Sequence, residues 1–223
     1  MKASKMIMIA YLAALFTDIV AVYSDNQDLR VISKPVIMPL LVAYATTRFN
    51  EKSVLFKLLV MALLLSWAGD IFLLFDGNTA FLSGLIAFLL AHVGYILCFK
   101  KARNESELGL LRTQEMRYLF ILLMAGIAVV VILLPHLGNL KMPVIIYAAV
   151  LTYMSITALY RYGKTSNTSF IFGFLGALLF MASDTMLSVN KFMGEFTGAG
   201  SLIMLTYGFA QLFIAESLIR HQQ

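Results

Sequence analysis

The sequence predicts an all-α, polytopic membrane protein, and two observations support this fold class. First, 61% of its 223 residues are hydrophobic and only 13% are charged, whereas soluble domains average about 45–50% apolar and about 25% charged residues. Second, the apolar residues form long runs separated by short polar stretches, as the hydrocarbon core of a bilayer requires. We therefore expect a single transmembrane domain over residues 1–223 that is integral to a membrane.

Eight apolar runs have the length of a transmembrane helix, about 20 residues or slightly less. They cover residues 6–23, 32–47, 55–75, 80–99, 118–134, 142–160, 170–189 and 200–219. The first run follows two lysines, as in a signal peptide, but Asp18 interrupts it and no convincing cleavage site follows, so we interpret it as a helix. Asp18 is close to the outer boundary of this helix and is expected to face water. The longest connection, residues 101–117, is charged and is expected to form a surface helix or a loop.

Lysine and arginine are distributed unevenly between the two ends of the predicted helices. If the N-terminus is cytoplasmic, 13 of the 17 basic residues fall on the cytoplasmic side, in agreement with the positive-inside rule. The other four are Arg30, Lys34, Lys141 and Lys191. We therefore expect both termini in the cytoplasm. Membrane orientation also explains the net charge of +5 better than nucleic-acid binding does, so no nucleic-acid partner is expected.

Two aspartates lie inside apolar runs, where an ionised carboxylate costs several kcal/mol. Asp70 lies within residues 63–75 and Asp184 within residues 178–187. Both are roughly 21–22 Å along helices that run outward, at 1.5 Å per residue, so we expect them at similar depth in the outer half of the bilayer. A structural hydrogen bond is the alternative role, but serine or asparagine would supply it at lower cost. We favour a functional pair, with one carboxyl protonated as the acid and the other acting as the base.

The two aspartate motifs share a pattern that predicts an internal repeat. Residues 68–73 read AGDIFL and residues 182–187 read ASDTML. Lysine and proline at residues 34–35 also have a loose counterpart at residues 141–143. These matches suggest a parallel 4+4 repeat, in which helices one to four correspond to helices five to eight. Matches this short also arise by chance, so the repeat is a hypothesis.

Other polar residues in the apolar runs are candidates for binding substrate or positioning water, and each has a structural alternative. Lys34 either extends its amino group to the interface or provides a cation for a lipid phosphate or an aspartate. His92 either makes an interhelical hydrogen bond or positions water. Tyr147, Tyr207 and Gln211 belong to residue types that more often pack or hydrogen-bond than catalyse.

The sequence argues against several kinds of catalytic site. His136 and His221 lie at helix ends or tails, so a zinc site would need carboxylates to complete it, and we expect neither a metal nor a cofactor. The single cysteine, Cys98, cannot form an internal disulfide. There is no G-x-S-x-G, H-E-x-x-H or P-loop motif. Ser66 and Ser183 lie near the aspartates but have no evident base, which disfavours a serine hydrolase.

Five motifs, spread from the second run to the eighth, resemble the YhhN-like family of multi-pass membrane proteins, which includes the lysoplasmalogenases. They are Lys34-Pro35-x-x-Met38-Pro39-Leu40, Ser66-x-x-Gly69-Asp70, the run from Gly84 to His92-x-x-Tyr95, Gly176-Ala177-x-x-Phe180-x-x-Ser183-Asp184 and Thr206-Tyr207-x-x-Ala210-Gln211. Each motif is weak alone, but their order and spacing together are fairly specific. The resemblance covers most of the chain.

The resemblance implies eight helices and hydrolysis of the vinyl ether bond of a lysoplasmalogen. The products would be a fatty aldehyde and glycerophosphoethanolamine or glycerophosphocholine. Asp70 and Asp184 would be the catalytic pair. The residues that would bind substrate or position water are Lys34, His92, Tyr95, Tyr147, Ser183, Tyr207 and Gln211. The partners would be a lysophospholipid and the bilayer of a bacterial plasma membrane.

Two other classes of function stay open at this point. Paired membrane carboxylates also serve transporters that couple to protons or cations, and a parallel repeat suits such a protein. A lipid-binding or scaffolding protein without chemistry is the third reading. An enzyme would release aldehyde in detergent, where no gradient exists, whereas a transporter would act only in sealed vesicles. A scaffold would do neither.

Overall fold

A computed structural model describes residues 2–49 and 52–222, and they form eight α-helices. These are α1 (Lys2–Tyr23), α2 (Gln27–Arg48), α3 (Val54–Phe72), α4 (Asn78–Lys101), α5 (Arg112–Leu133), α6 (Lys141–Leu159), α7 (Asn167–Phe192) and α8 (Ala199–His221). Two short 3₁₀ turns, Leu134–His136 and Gly138–Leu140, connect α5 to α6. All eight helices are long and apolar enough to cross a membrane, and the described residues contain no strand. The predicted all-α membrane fold is confirmed.

The second helix begins earlier than the apolar run predicts. It starts at Gln27 because the side chain of Asn26 accepts a hydrogen bond from the backbone N–H of Leu29 and caps the helix. Lys34 and Pro35 therefore lie well inside α2 and do not open it.

Polar residues also extend other helices beyond their apolar runs. α5 begins at Arg112, inside the predicted connection of residues 101–117, and Glu115 lies in its first turn. α7 continues to Phe192, beyond the predicted end at residue 189. The apolar run therefore predicts the membrane-spanning part of a helix but not its polar ends.

Helix α8 is the most buried helix of the bundle. It packs along α7 and also contacts α1, α2 and α3. Helices α1 and α2 form one antiparallel pair and α3 and α4 form another, while α6 contacts both α4 and α7. Helix α5 lies at the periphery, mainly against α6. Asp70 lies on α3 and Asp184 on α7. Both of these helices therefore contact α8.

A buried arginine joins four helix ends on one side of the bundle. Arg161 follows α6 and is fully buried. Its Nε donates to the carbonyl of Ala102 at 2.9 Å, its Nη1 to Oγ of Ser217 at 2.5 Å and its Nη2 to Oγ of Ser169 at 2.6 Å. The guanidinium also lies 5.4 Å from the ring centre of Phe99. Burial lowers the pKa of Arg161 to about 10, so this residue stays charged at neutral pH and bonds only to neutral groups.

A second polar cluster joins α2 to α8 on the same side. The carboxylate of Glu216, next to Ser217 in the chain, accepts a hydrogen bond from the hydroxyl of Tyr44. Nε of Arg220 lies 3.0 Å from Oε2 of Glu216, and Nη1 of Arg48 lies 3.7 Å from its Oε1. The two clusters fix the ends of α2, α4, α6, α7 and α8 relative to one another.

We predict that Arg161→Lys destabilises the protein although it keeps the charge. A lysine cannot reproduce the planar set of donors that reaches three residues at once, and hydrogen bonds of charged groups contribute about 1.5–3 kcal/mol each. The expected result is a clear drop in the thermal unfolding midpoint in detergent, followed by circular dichroism. The control is Arg117→Lys, at an exposed position of α5. Equal midpoints for the two variants would contradict the structural role of Arg161.

Candidate active site

Asp70 is buried near the end of α3 and receives contacts from two other helices. It is 2% exposed. The hydroxyl of Tyr207, on α8, donates a hydrogen bond to Oδ2 of Asp70 at 2.7 Å. Nζ of Lys34, on α2, lies 3.9 Å from Oδ1, which is within ion-pair range but too long for a hydrogen bond. The first aspartate therefore has one neutral donor and one nearby cation.

Asp184 has a corresponding environment on α7, but without a lysine. Asp184 is 7% exposed. The hydroxyl of Tyr147, on α6, donates to Oδ2 of Asp184 at 2.5 Å. Nε2 of His92, on α4, lies 3.6 Å from the same oxygen. His92 is fully buried, and within residues 2–49 and 52–222 neither of its ring nitrogens has a hydrogen-bond partner.

Aromatic rings join the surroundings of the two aspartates. The ring centre of Phe180 lies 5.5 Å from that of Tyr207 and 4.6 Å from that of His92. Phe88 packs edge-on against Phe180 and Tyr207. Gly69 leaves room for the ring of Phe88 against α3, because a Cβ at Gly69 would lie 2.6 Å from that ring. Each carboxyl thus has its own tyrosine, and the partners of the two carboxyls pack in one aromatic cluster.

Two further predicted residues bond to each other beside this cluster. The hydroxyl of Tyr95 donates to Oε1 of Gln211, and the Tyr95 ring centre lies 6.3 Å from that of Phe180. Nε2 of Gln211 is buried and has no hydrogen-bond partner in the described part of the chain. It is therefore a free donor close to the aromatic rings.

Ser183 bonds to the backbone and not to a carboxyl group. Its hydroxyl donates to the backbone carbonyl of Ile203 at 3.0 Å, which links α7 to α8. Its position next to Asp184 in the chain directs it to another face of the helix. Of the nine residues predicted from sequence, the other eight lie in one connected cluster, and their roles stay predictions.

Asp18 corrects one expectation from the sequence. It was expected to face water, but it is fully buried between α1 and α2. Its Oδ1 accepts a hydrogen bond from Oγ of Ser33 at 2.8 Å, while its Oδ2 has no partner among the described residues. The prediction was wrong because α2 begins earlier than expected and packs against this part of α1. The available signal was a carboxylate inside an apolar run, the same signal that identified Asp70 and Asp184.

Each aspartate is contacted from the helix that precedes its own and from one helix more distant in the chain. Asp70, on α3, is contacted from α2 and α8. Asp184, on α7, is contacted from α6 and α4. In a 4+4 repeat, α6 would correspond to α2 and α4 to α8. The last helix of each assumed half would then contact the aspartate of the other half, and the repeat itself stays a hypothesis.

The described residues contain no group of three or more His, Cys, Asp or Glu side chains that could hold a metal ion. The site offers carboxyl, phenol, imidazole, amide and ammonium groups. Such groups can donate and accept protons and can orient a water molecule.

Several known proteins that are similar to this chain carry the name lysoplasmalogenase. One from Mycobacterium bovis is 33% identical over 159 residues, which cover 70% of this chain and 58% of that protein. Lysoplasmalogenase TMEM86A from Bos taurus is 27% identical over 167 residues, or 73% of this chain and 65% of that protein. Lysoplasmalogenase TMEM86B from Homo sapiens is 33% identical over 165 residues, or 74% and 64%. The matched part thus spans less than two thirds of each relative.

These relatives give no support to the transporter alternative. No solved structure matches the chain. A model of the YhhN family matches residues 29–218, a range that includes all eight residues of the carboxyl cluster, and the chain belongs to the YhhN family.

Proposed function

We propose that this chain hydrolyses the vinyl ether bond of lysoplasmalogens within the membrane. The observation that carries the proposal is the pair of buried aspartates, Asp70 and Asp184, whose tyrosine and histidine partners pack in one aromatic cluster. Family membership and the name of the relatives supply the substrate class. Two carboxyls with different neighbours are a suitable pair for acid–base chemistry.

The reaction begins with protonation of the vinyl ether. An acid donates a proton to the β-carbon, the double bond electrons form the new C–H bond, and an oxocarbenium ion results. We assign the acid to Asp184, since its contacts are an uncharged phenol and an imidazole. Asp70 lies beside the ammonium of Lys34, which favours its ionised form. Asp70 is therefore the better carboxylate of the two.

The second step adds water to the oxocarbenium carbon. In this proposal Asp70 stabilises the positive charge and accepts a proton from the attacking water. The resulting hemiacetal then breaks its bond to the glycerol oxygen, which takes the proton from Asp70, while the hemiacetal hydroxyl gives its proton to Asp184 and the aldehyde leaves. The overall reaction consumes one water and forms one aldehyde and one glycerophospho-alcohol. No metal and no covalent intermediate with the enzyme are required.

Buried polar groups near the rings would hold the water. Both ring nitrogens of His92 and the amide nitrogen of Gln211 are buried. None of them has a hydrogen-bond partner among residues 2–49 and 52–222. A buried polar group without a hydrogen bond costs about 1–3 kcal/mol. A bound water or a substrate oxygen would remove this cost, which supports a positioning role for both residues.

We predict that Asp70→Asn and Asp184→Asn each reduce aldehyde release from an alkenyl lysophospholipid by at least about 1000-fold, because each removes one half of the acid–base pair. The assay uses purified protein in detergent, where no gradient exists, so release there also distinguishes an enzyme from a transporter. The matched control is Asp76→Asn, in the exposed turn after α3, which should keep wild-type turnover.

Near wild-type turnover in Asp70→Asn or Asp184→Asn, with the protein inserted normally, would refute the catalytic pair. If the wild type released no aldehyde from any vinyl ether lipid, the proposed reaction itself would be wrong.

A second prediction separates the roles of the two carboxyls. In D₂O, Asp70→Asn keeps the acid but adds water slowly, so protonation of the β-carbon reverses and deuterium enters the unreacted vinyl ether. Asp184→Asn lacks the acid, so its recovered substrate should contain no deuterium above the background. Mass spectrometry of the recovered lipid measures the exchange. Exchange with Asp184→Asn but not with Asp70→Asn would reverse the assignment.

A further inference from the structure

Two cationic residues, Arg30 and Lys34, lie on the part of α2 that contacts Asp70 through Lys34. Arg30 lies one turn before Lys34, so the two share a face of the helix. Nε of Arg30 is buried and has no hydrogen-bond partner within the described residues. Lys34 is 3% exposed, and its ammonium lies 3.9 Å from the Asp70 carboxylate, beyond hydrogen-bond range. Buried charged donors without acceptors are costly, and a phosphate oxygen would satisfy them.

Asp18 adds a hydrogen-bond acceptor beside Arg30 and Lys34. Its Oδ1 is bound by Ser33, the residue before Lys34, and its Oδ2 is buried without a partner among residues 2–49 and 52–222. Ser33, the residue that bonds to Asp18, lies between Arg30 and Lys34 along α2. An ammonium group with N–H donors would satisfy its free oxygen. The three residues therefore offer donors for an anion and an acceptor for a cation.

We propose that Asp18, Arg30 and Lys34 form a subsite for a phosphoethanolamine head group. Arg30 and Lys34 bind the phosphate, and Oδ2 of Asp18 accepts a hydrogen bond from the primary ammonium. The proposal rests on the proposed function, because it places the head group of that substrate. Asp18 lies outside residues 29–218, so the family match does not assign it a role.

The charges and dimensions of the subsite fit this ligand. When ionised, Asp18 and Asp70 balance Arg30 and Lys34, and a phosphoethanolamine head group is likewise a zwitterion without net charge. Arg30 and Lys34 are about 6 Å apart along the helix at 1.5 Å per residue. The three carbons of glycerol separate the phosphate from the ether oxygen, so a phosphate on Lys34 leaves the ether within reach of Asp70.

The subsite predicts a preference between head groups. A choline ammonium carries three methyl groups and no N–H, so it cannot donate a hydrogen bond to Asp18. An alkylglycerol lacks the phosphate as well. We therefore expect affinity to fall from the ethanolamine lipid to the choline lipid and again to the alkylglycerol.

Trp67 provides a reporter at this position. It is the only tryptophan in the chain, and its Nε1 donates to the carbonyl of Pro35, the residue after Lys34, at 2.8 Å. A ligand that contacts Lys34 should change the fluorescence of Trp67.

The experiment titrates purified protein in detergent with three 1-O-alkyl lipids and follows the fluorescence of Trp67. The saturated ether of these lipids is not cleaved. These are the lysophosphoethanolamine, the lysophosphocholine and the alkylglycerol of the same chain length. In the wild type we expect the ethanolamine lipid to bind at least about tenfold more tightly than the alkylglycerol, since one hydrogen bond to a charged group contributes about 1.5–3 kcal/mol. We expect the choline lipid to lie between them.

Two variants assign the contacts. Arg30→Gln should lose most of the preference for phosphate, and Asp18→Asn should lose the preference for ethanolamine over choline. The matched controls are Lys141→Gln, an exposed cation at the start of α6, and Asp28→Asn, an exposed carboxylate in the first turn of α2. Both controls should keep the wild-type order of affinities.

Equal affinity of the wild type for the three lipids would overturn the subsite without the need for any variant. An unchanged order of affinities in Asp18→Asn or Arg30→Gln would overturn the corresponding contact. Because the ligands are not cleaved, the result is independent of turnover. Head-group discrimination in a protein that releases no aldehyde from vinyl ether lipids would support the subsite while refuting the proposed reaction.

Discussion

The hydrogen bonds between tyrosines and buried aspartates are the interactions on which the site depends. A carboxyl group in a bilayer must find its partners within the protein, because neither lipid nor water supplies them there. Tyr207 meets this need for Asp70 and Tyr147 meets it for Asp184. Each bond joins two helices, so the polar groups that would do the chemistry also hold α3 against α8 and α6 against α7.

The fold was largely predictable because the bilayer permits few solutions. Apolar runs of about 20 residues must form helices when the backbone cannot bond to water, and all eight runs do so. The helix ends were not predictable from hydropathy. The side chain of Asn26 caps α2, and this local hydrogen bond moves Lys34 and Pro35 from the predicted start of the helix to its interior.

The candidate site was predictable at positions where polar residues interrupt apolar runs. Asp70, Asp184 and His92 stand out because polar groups are rare in apolar runs, and the structure places all three in one cluster. Ser183 is adjacent to Asp184 in the chain but bonds to the backbone of α8, and its role stays a prediction. Arg161 was missed. It lies in a polar connection, where an arginine is normally solvated, and only the packing of four helix ends buries it.

The protonation of the two buried carboxyls tests the proposed acid–base pair most directly. Infrared difference spectroscopy of the purified protein at neutral pH measures the carbonyl stretch of a protonated carboxyl group. We expect a component of this band that is absent from Asp184→Asn and present in Asp70→Asn. A spectrum in which Asp184→Asn leaves the band unchanged would contradict the claim that Asp184 holds the catalytic proton.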